Sequence, residues 1–297
     1  MRQESTYLAI YELHQEGATS IKRLCDIAEI PRSSYYKWLN RQIPENEKIN
    51  EAIAKAVLAI HEEYPDKGYR RIRDDVARDY GFAVNDKRIL RICRALGIKS
   101  TIKYKNEGCT VSDKSPQYVA ENILNREFTA EKPNEKWLTD VTEFKYYVRG
   151  EKKKVYLSAI LDLYDRRIVA YMIGDSNNNP LVFDTFDKAI KENPDAHPIF
   201  HSDRGFQYTS KTFHQKLLDQ KMTQSMSRVG KCIDNGPMEG FWGLLKRERY
   251  YKRRFTSREA IVSMIEEYIY YYNNKRYQRN LGVLTPMEKN VEYQLAA

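Results

Sequence analysis

Between Trp137 and Ile173 three β-rich runs follow one another, and the links between them are too short for anything but antiparallel pairing. The first, W-L-T-D-V-T-E-F-K-Y-Y, turns at Arg149-Gly150; the second, V-Y-L-S-A-I-L-D-L, meets the third, R-R-I-V-A-Y-M-I, across Tyr164-Asp165. A parallel pair would need a crossover of roughly a dozen residues. Helical spacing then covers 180–192 and 210–220, and short apolar runs fill 197–202 and 222–226. Three strands followed by α-β-α-β-α predict a mixed five-stranded α/β sheet covered by helices. Asp162, at a strand end beside a tight turn, reads as a structural turn residue.

Two acids stand where packing alone does not ask for them. Asp140 lies inside the first strand, where alternation puts it with Thr142 and Phe144 on one face and Val141 with Glu143 on the other. Asp203 closes H-P-I-F-H-S-D-R-G-F-Q-Y, a run that delivers a side chain to the end of a sheet. A third acid, Glu239, falls in the first turn of a helix expected to start at Pro237, with Gly236 as its N-cap. Trp242, Gly243 and Lys246 follow at the spacing that keeps residues on one helix face. Alone, Glu239 would only complement the helix dipole. Three carboxylates meeting in space need cations, and their oxygens suit Mg²⁺ or Mn²⁺.

Four separated blocks agree in order and spacing with one family. W-L-T-D-V-T-E-F, H-S-D-R-G-F-Q-Y, D-N-G-P-M-E-G-F-W-G-L-L-K-R-E and Y-Y-N-N-K-R-Y with L-T-P-M-E after it resemble the DDE transposases of bacterial insertion sequences. These are relatives of retroviral integrase with a ribonuclease H-like core. Gly240 and Gln278 depart from residues common in such elements, and neither touches the acids. The resemblance implies catalytic and metal-binding roles for Asp140, Asp203 and Glu239, with Asp140 bridging two Mg²⁺ (or Mn²⁺) ions and each of the others holding one. It also implies that Lys246 positions a backbone phosphate of the element's end. The expected reaction is cleavage of element-end DNA and transfer of its 3′-OH strand into target DNA, by a homo-oligomer on DNA.

Ahead of this core the chain reads as two helical modules. Residues 1–45 have a helix-turn-helix pattern: Tyr7, Ile10, Tyr11 and His14 at helical spacing, a stop at Gly17, a cap at Ser20, a break at Ile30-Pro31, and Ser33 or Ser34 capping a third helix. The start of that helix nominates Arg32, Ser33, Ser34, Tyr36 and Lys37 as DNA contacts, with Tyr35, Trp38 and Leu39 in the core. Residues 46–108 form a second helical domain with Ile53, Val57, Ile60, Ile72, Val76, Ile89, Ile92, Cys93 and Leu96 inward and Asn85 capping its third helix. Arg70, Arg71, Lys87, Arg88, Arg91 and Arg94 are its candidate DNA contacts. A polar linker is expected over 109–132, the catalytic core over 133–255, and a helical extension over 256–297, with Thr256 and Glu259 as its capping box. Asn273 to Arg276 then turn polar and are candidates to approach DNA.

The net charge of +9 favours a polyanionic partner. It is uneven: 1–45 is neutral, 46–108 carries 14 basic against 10 acidic residues, and 240–297 carries 11 against 6, which implies two phosphate footprints. The four cysteines show no paired spacing and no nearby histidine cluster, so neither a disulfide framework nor a zinc finger is indicated. No apolar run approaches membrane-spanning length and the start lacks a signal-peptide pattern. A cytoplasmic, nucleoid-associated protein with no membrane partner is expected. The competing readings are a repressor that binds without strand transfer and a nuclease of the same fold.

Overall fold

The structure, a computed structural model, describes residues 4–41, 44–102, 117–251 and 253–296. Gln42, Ile43, Gly108, Cys109, Ser112, Ser115 and Pro116, which punctuate the expected linkers, lie outside the described residues. The second half of the linker expected over 109–132 is described and is no linker, since Ala120 and Leu124 are buried in the core and the backbone of Tyr118 and Glu121 bonds Thr209 and Met226. Of the core, β1 (Lys136–Val148) and β2 (Glu151–Asp162) form a long antiparallel hairpin with Asp140 opposite Ala159. Arg149 and Gly150 both take positive φ, as a two-residue hairpin turn requires. The strand β3 (Ile168–Gly174) adds antiparallel to β2, whereas β4 (Ile199–Ser202) and β5 (Thr223–Met226) add in parallel on the other side of β1. The sheet order is β3-β2-β1-β4-β5. The mixed five-stranded sheet read from the sequence is the one observed.

Alternation along β1 sorts its side chains between two helical layers. Trp137 points to the layer of α7 (Asn179–Glu192) and α8 (Lys211–Asp219), against Phe186 and Phe213. Leu138, Phe144 and Tyr146 point the other way, against Met238, Phe241 and Leu245 of α9 (Gly236–Leu245) and Ile265 and Tyr268 of α10 (Arg258–Asn274). Each such fully buried side chain contributes roughly 1.5–3 kcal/mol. Sharing this cluster with β1, α10 packs on the core, as a helix apolar on more than one face does. Its N-cap is Ser257, whose hydroxyl accepts from the Ala260 N–H, and not Thr256.

Asp162 is a structural clamp. Its buried carboxylate accepts from the Asn134 and Tyr164 N–H groups and from the Trp137 indole.

The N-terminal helices α1 (Glu4–Gln15), α2 (Ile21–Ile27) and α3 (Arg32–Leu39) close on Tyr7, Ile10, Leu24, Cys25, Ile30 and Tyr35. Ser20 caps α2, but Pro31 precedes α3, so Ser33 and Ser34 lie inside that helix and do not cap it. Leu39, expected in the core, is exposed. The helices α4 (Glu45–Glu63), α5 (Tyr69–Asp79) and α6 (Asp86–Ala95) close on Ile53, Val57, Ile72, Val76, Ile89 and Cys93. Asn85 caps α6 as its sequence predicts, while Leu96, one residue past the helix, is exposed. Ion pairs then fasten this second module to the C-terminal part of the chain, Arg279 bridging Asp74 and Asp86, and Arg78 reaching Glu288 of α11 (Pro286–Ala296).

Candidate active site

The parallel pairing of β1 with β4 sets Leu138 beside His201. Asp140 and Asp203 each stand two residues further on, along neighbouring strands about 5 Å apart. The Asp203 carboxylate accepts from the Gly205 N–H at 2.8 Å, and a side chain at 205 would crowd that same oxygen at 3.0 Å, so the carboxylate would have to shift to make room. The third acid arrives on α9. That helix starts one residue earlier than its sequence suggests: Asn235, not Gly236, is the N-cap, and Pro237 stands in the first turn. Buried Asn235 donates its side-chain N–H to the Thr139 carbonyl at 3.1 Å, tying the start of α9 to the residue before Asp140. Further along, the Trp242 indole donates to Asp140 Oδ2 at 3.0 Å, and the Val141 N–H to Oδ1 at 2.8 Å. Neither Asn235 nor Trp242 was singled out as a site residue by sequence; the trace they leave is their spacing around Glu239.

Electrostatics bind the three acids together. Burial first, then the Asp203 carboxylate, and to a lesser degree Glu239, push Asp140 up to about 7 against the two hydrogen bonds that favour its ionised form. Desolvation also raises Asp203, and burial followed by repulsion from Asp203 raises Glu239. Among the described residues no lysine, arginine or histidine pairs with any of the three. A like-charged group left in that state asks for a cation. The donor set is all oxygen, which fits Mg²⁺ or Mn²⁺. Among the described residues no three acidic, histidine or cysteine side chains converge on one point, and Glu239 is exposed.

Lys246 is the C-cap of α9, and there the chain enters a π-helical turn, Lys246–Tyr250, closed by the Tyr251 N–H donating to the Lys246 carbonyl at 2.7 Å. Such turns recur at functional sites. The Lys246 ammonium stands 5.5 Å from the ring centre of Phe144, on the strand that carries Asp140. The candidate DNA contacts of the helical modules divide. Arg32, Ser33, Tyr36 and Lys37 on α3, and Arg70, Lys87, Arg91 and Arg94 on the second module, are exposed, and Ser34 is half-buried. Half-buried Arg88 donates to Asn50. Arg71 is a correction: its guanidinium is taken up by Glu248, Asp66 and the Tyr271 hydroxyl, so it faces protein and not DNA. Arg276, expected to approach DNA, is likewise buried against Glu248, and Asn273 bonds the Ile168 backbone. The sequence separation of these partners hides them from local pattern.

His201, two residues before Asp203, is fully buried between Ser225 (2.9 Å) and Ser227 (3.1 Å), and burial lowers its pKa to about 4. The folded state therefore favours neutral imidazole. Stability from this group is complete above its unfolded pKa of about 6.5 and is lost as pH falls towards 4, by up to about 3 kcal/mol. Unfolding midpoints of wild type and His201→Asn, compared from pH 7 to pH 4, are expected to fall less steeply in the variant; parallel curves would contradict this.

The sheet order with helices on both faces defines a ribonuclease H-like core, here behind helical modules. The integrase core domain family matches residues 130–232 and, in a second form, 239–290, and an HTH-like domain family matches 48–106. The chain is 36% identical over 272 residues to the transposase InsK for insertion sequence element IS150 of Escherichia coli (strain K12), covering 90% of this chain and 92% of that one. It is 29% identical to the transposase InsF for insertion sequence IS3A of the same strain, over 93% and 95% of the two chains. Among solved structures, the HTLV-2 integrase catalytic core domain in complex with magnesium (dimeric form) overlays 54% of this chain and 98% of its own, with 17% identity and a TM-score of 0.40. The chain belongs to the insertion-sequence transposases. No helix among the described residues is long and apolar enough to cross a membrane.

Proposed function

We propose that this transposase cleaves the DNA ends of its element and joins the exposed 3′-OH to target DNA, using Asp140, Asp203 and Glu239 as its catalytic and metal-holding residues. The observation that carries the reading is the geometry that sets Asp140 and Asp203 two residues beyond the paired Leu138 and His201 and ties the helix of Glu239 to Asp140 through Trp242. Asp140, Asp203 and Glu239 would hold two Mg²⁺ or Mn²⁺ ions. Bound there, divalent cations would activate the attacking oxygen and stabilise the leaving one. The chain's own residues do the rest. Trp242 and the Val141 N–H fix the two oxygens of Asp140, Asn235 holds α9 against β1, and Gly205 lets the Asp203 turn close. The exposed residues of α3, with Arg70, Lys87, Arg91 and Arg94, would hold terminal-repeat and target duplex on nucleoid DNA, in a homo-oligomer.

Incubating the purified protein with duplexes carrying the element's inverted repeats, a supercoiled target and Mg²⁺ tests this directly. Joined products from wild type, absent with Glu239→Gln, are expected. Cutting without joining would favour a nuclease, and binding without either would favour a repressor.

Lys246 would clamp a backbone phosphate from its place over Phe144, about 13 Å along β1 from Asp140. Lys246→Ala is expected to weaken end-DNA binding and to lower the salt slope by roughly one unit. Arg254, exposed and 5.8 Å from the Tyr147 ring, is the control. Equal defects in Lys246→Ala and Arg254→Ala across a salt series would reduce Lys246 to one surface charge among several.

A further inference from the structure

Two residues beyond Lys246, inside the π-helical turn, lies Glu248, a carboxylate whose side chain is only 1% exposed. A buried carboxylate persists only with partners. Glu248 accepts from Arg276 Nη2 at 2.9 Å, from Arg71 Nη1 at 2.8 Å and from the Tyr268 hydroxyl at 3.0 Å. Burial by itself would raise its pKa, but Arg276 and then Arg71 hold it below the usual value, so it is ionised at neutral pH. Arg71 comes from α5 of the second helical module, 177 residues away in sequence. It is itself braced by Asp66 at 3.2 Å and by the Tyr271 hydroxyl at 2.8 Å. A second pair runs beside it, Arg249 of the turn to Asp66 of the module at 3.2 Å. Asp66 and Arg71 thus close reciprocal pairs with Arg249 and Glu248 on the segment that directly continues the helix of Glu239 and Lys246.

We propose that Glu248 is a positioning residue that locks the second helical module to the helix bearing Glu239 and Lys246, so that DNA held by the module is set in register with the acids. The inference rests on the proposed roles of Glu239 and Lys246. Its physical basis is that the helix of Glu239 and Lys246 runs without a break into this π turn, whose backbone bonds close one residue later than those of an α-helix. The carboxylate gripped from two sides holds that turn in place. Without its charge, buried Arg276 loses its carboxylate and Arg71 keeps Asp66 as its only anion, so the two guanidinium groups repel and the module is pushed off the turn. DNA still binds the module, because the exposed face with Arg70, Lys87, Arg91 and Arg94 is untouched. What is lost is the placement of that DNA over the site.

The test compares Glu248→Gln, Arg71→Met, Arg71→Lys and the double variant Glu248→Gln/Arg71→Met with wild type in the full chain. The measurements are joining rate at saturating end DNA, the DNA concentration for half-saturation, and the melting temperature. Arg78→Ala and Arg279→Ala are controls, since they break other ion pairs of the same module without touching Glu248. Glu248→Gln and Arg71→Met are each expected to slow joining at saturating DNA by about tenfold or more, with half-saturation within about twofold. The double variant is expected to be no slower than the worse single, Arg71→Lys to recover part of the rate, and both controls to join at the wild-type rate. A lowered melting temperature with unchanged rate per folded molecule would overturn the proposal, leaving Glu248 a packing residue. So would a loss confined to half-saturation, which would return Arg71 to DNA contact, or additive losses in the double variant. Should wild type fail to join at all, the reading of the acids falls and the proposal, which rests on it, falls with it; a joining wild type with unslowed variants overturns the proposal alone.

Discussion

Asp140→Asn is expected to lower strand joining by about a thousandfold or more while leaving end-DNA affinity within a small factor. Removing one ligand from a site that stabilises both the attacking and the leaving oxygen removes several kcal/mol of transition-state stabilisation, and each 1.36 kcal/mol is tenfold in rate. The same substitution makes a second, opposite prediction for stability. Burial, Asp203 and Glu239 raise the folded-state pKa of Asp140 to about 7, above its unfolded value. A carboxyl raised in this way favours folding at low pH, and that contribution is lost as pH rises through the unfolded value towards 7. Without metal at pH 8, the neutral amide is therefore expected to melt higher than wild type, less about 1 kcal/mol because one amide cannot accept from both Val141 and Trp242. Adding Mg²⁺ should reverse the order by stabilising wild type alone. Joining near the wild-type rate, or an equal Mg²⁺ shift in both proteins, would remove Asp140 from the metal site.

The placement of Asp140 was legible because β1 alternates. Once Leu138 and Phe144 face α9 and α10, period two sends Asp140 the same way, and the Trp242 bond is the result. Ser20, Asn85 and Asp162 were legible for a related reason, since each acts on backbone within a few residues of itself or closes a turn. Local rules failed where two candidates compete within one turn: Ser257 caps α10 in place of Thr256, and Asn235 caps α9 in place of Gly236. They failed altogether for Arg71 and Arg276. A basic residue beside Tyr69 and Arg70, or after Asn274, looks the same in sequence whether it faces phosphate or a buried glutamate 177 or 28 residues away.

That ambiguity changes how the positive charge is to be read. The C-terminal excess suggested a phosphate footprint, yet Arg249, Arg276 and Arg279 are engaged with Asp66, Glu248, Asp74 and Asp86 inside the protein. Part of the excess beside α9 is thus structural, a set of ties between modules. The count of basic residues overstates what is available to DNA there.

Asp234 carries the second large prediction, because it fixes the approach to Glu239 without touching the acids. It lies in the 3-10 turn Cys232–Asn235 with its side chain fully buried, and it accepts from Arg228 through Nε and Nη2 at 2.8 Å each, from Arg126 Nε at 2.6 Å and from Asn122 Nδ2 at 3.0 Å. The Arg228 bonds first, then Arg126, hold its pKa well below the usual carboxylate range. This anchor gathers residues 122, 126 and 228 around the segment that leads into α9, just before the Asn235 bond to Thr139. Asp234→Ala unpairs two arginines that are each nearly half exposed, so they rehydrate, and the expected cost is about 2–3 kcal/mol, below the 3–5 kcal/mol typical of breaking a fully buried pair. Activity should suffer more than stability, because a displacement of about 1 Å at the start of α9 is enough for a hundredfold loss. The loss should also depend on metal in a way that Asp140→Asn does not. With all three acids present but one misplaced, raising Mg²⁺ is expected to restore part of the joining rate in Asp234→Ala, whereas no concentration rescues Asp140→Asn. A wild-type rate for Asp234→Ala at limiting Mg²⁺ would mean that the turn before α9 does not set the position of Glu239.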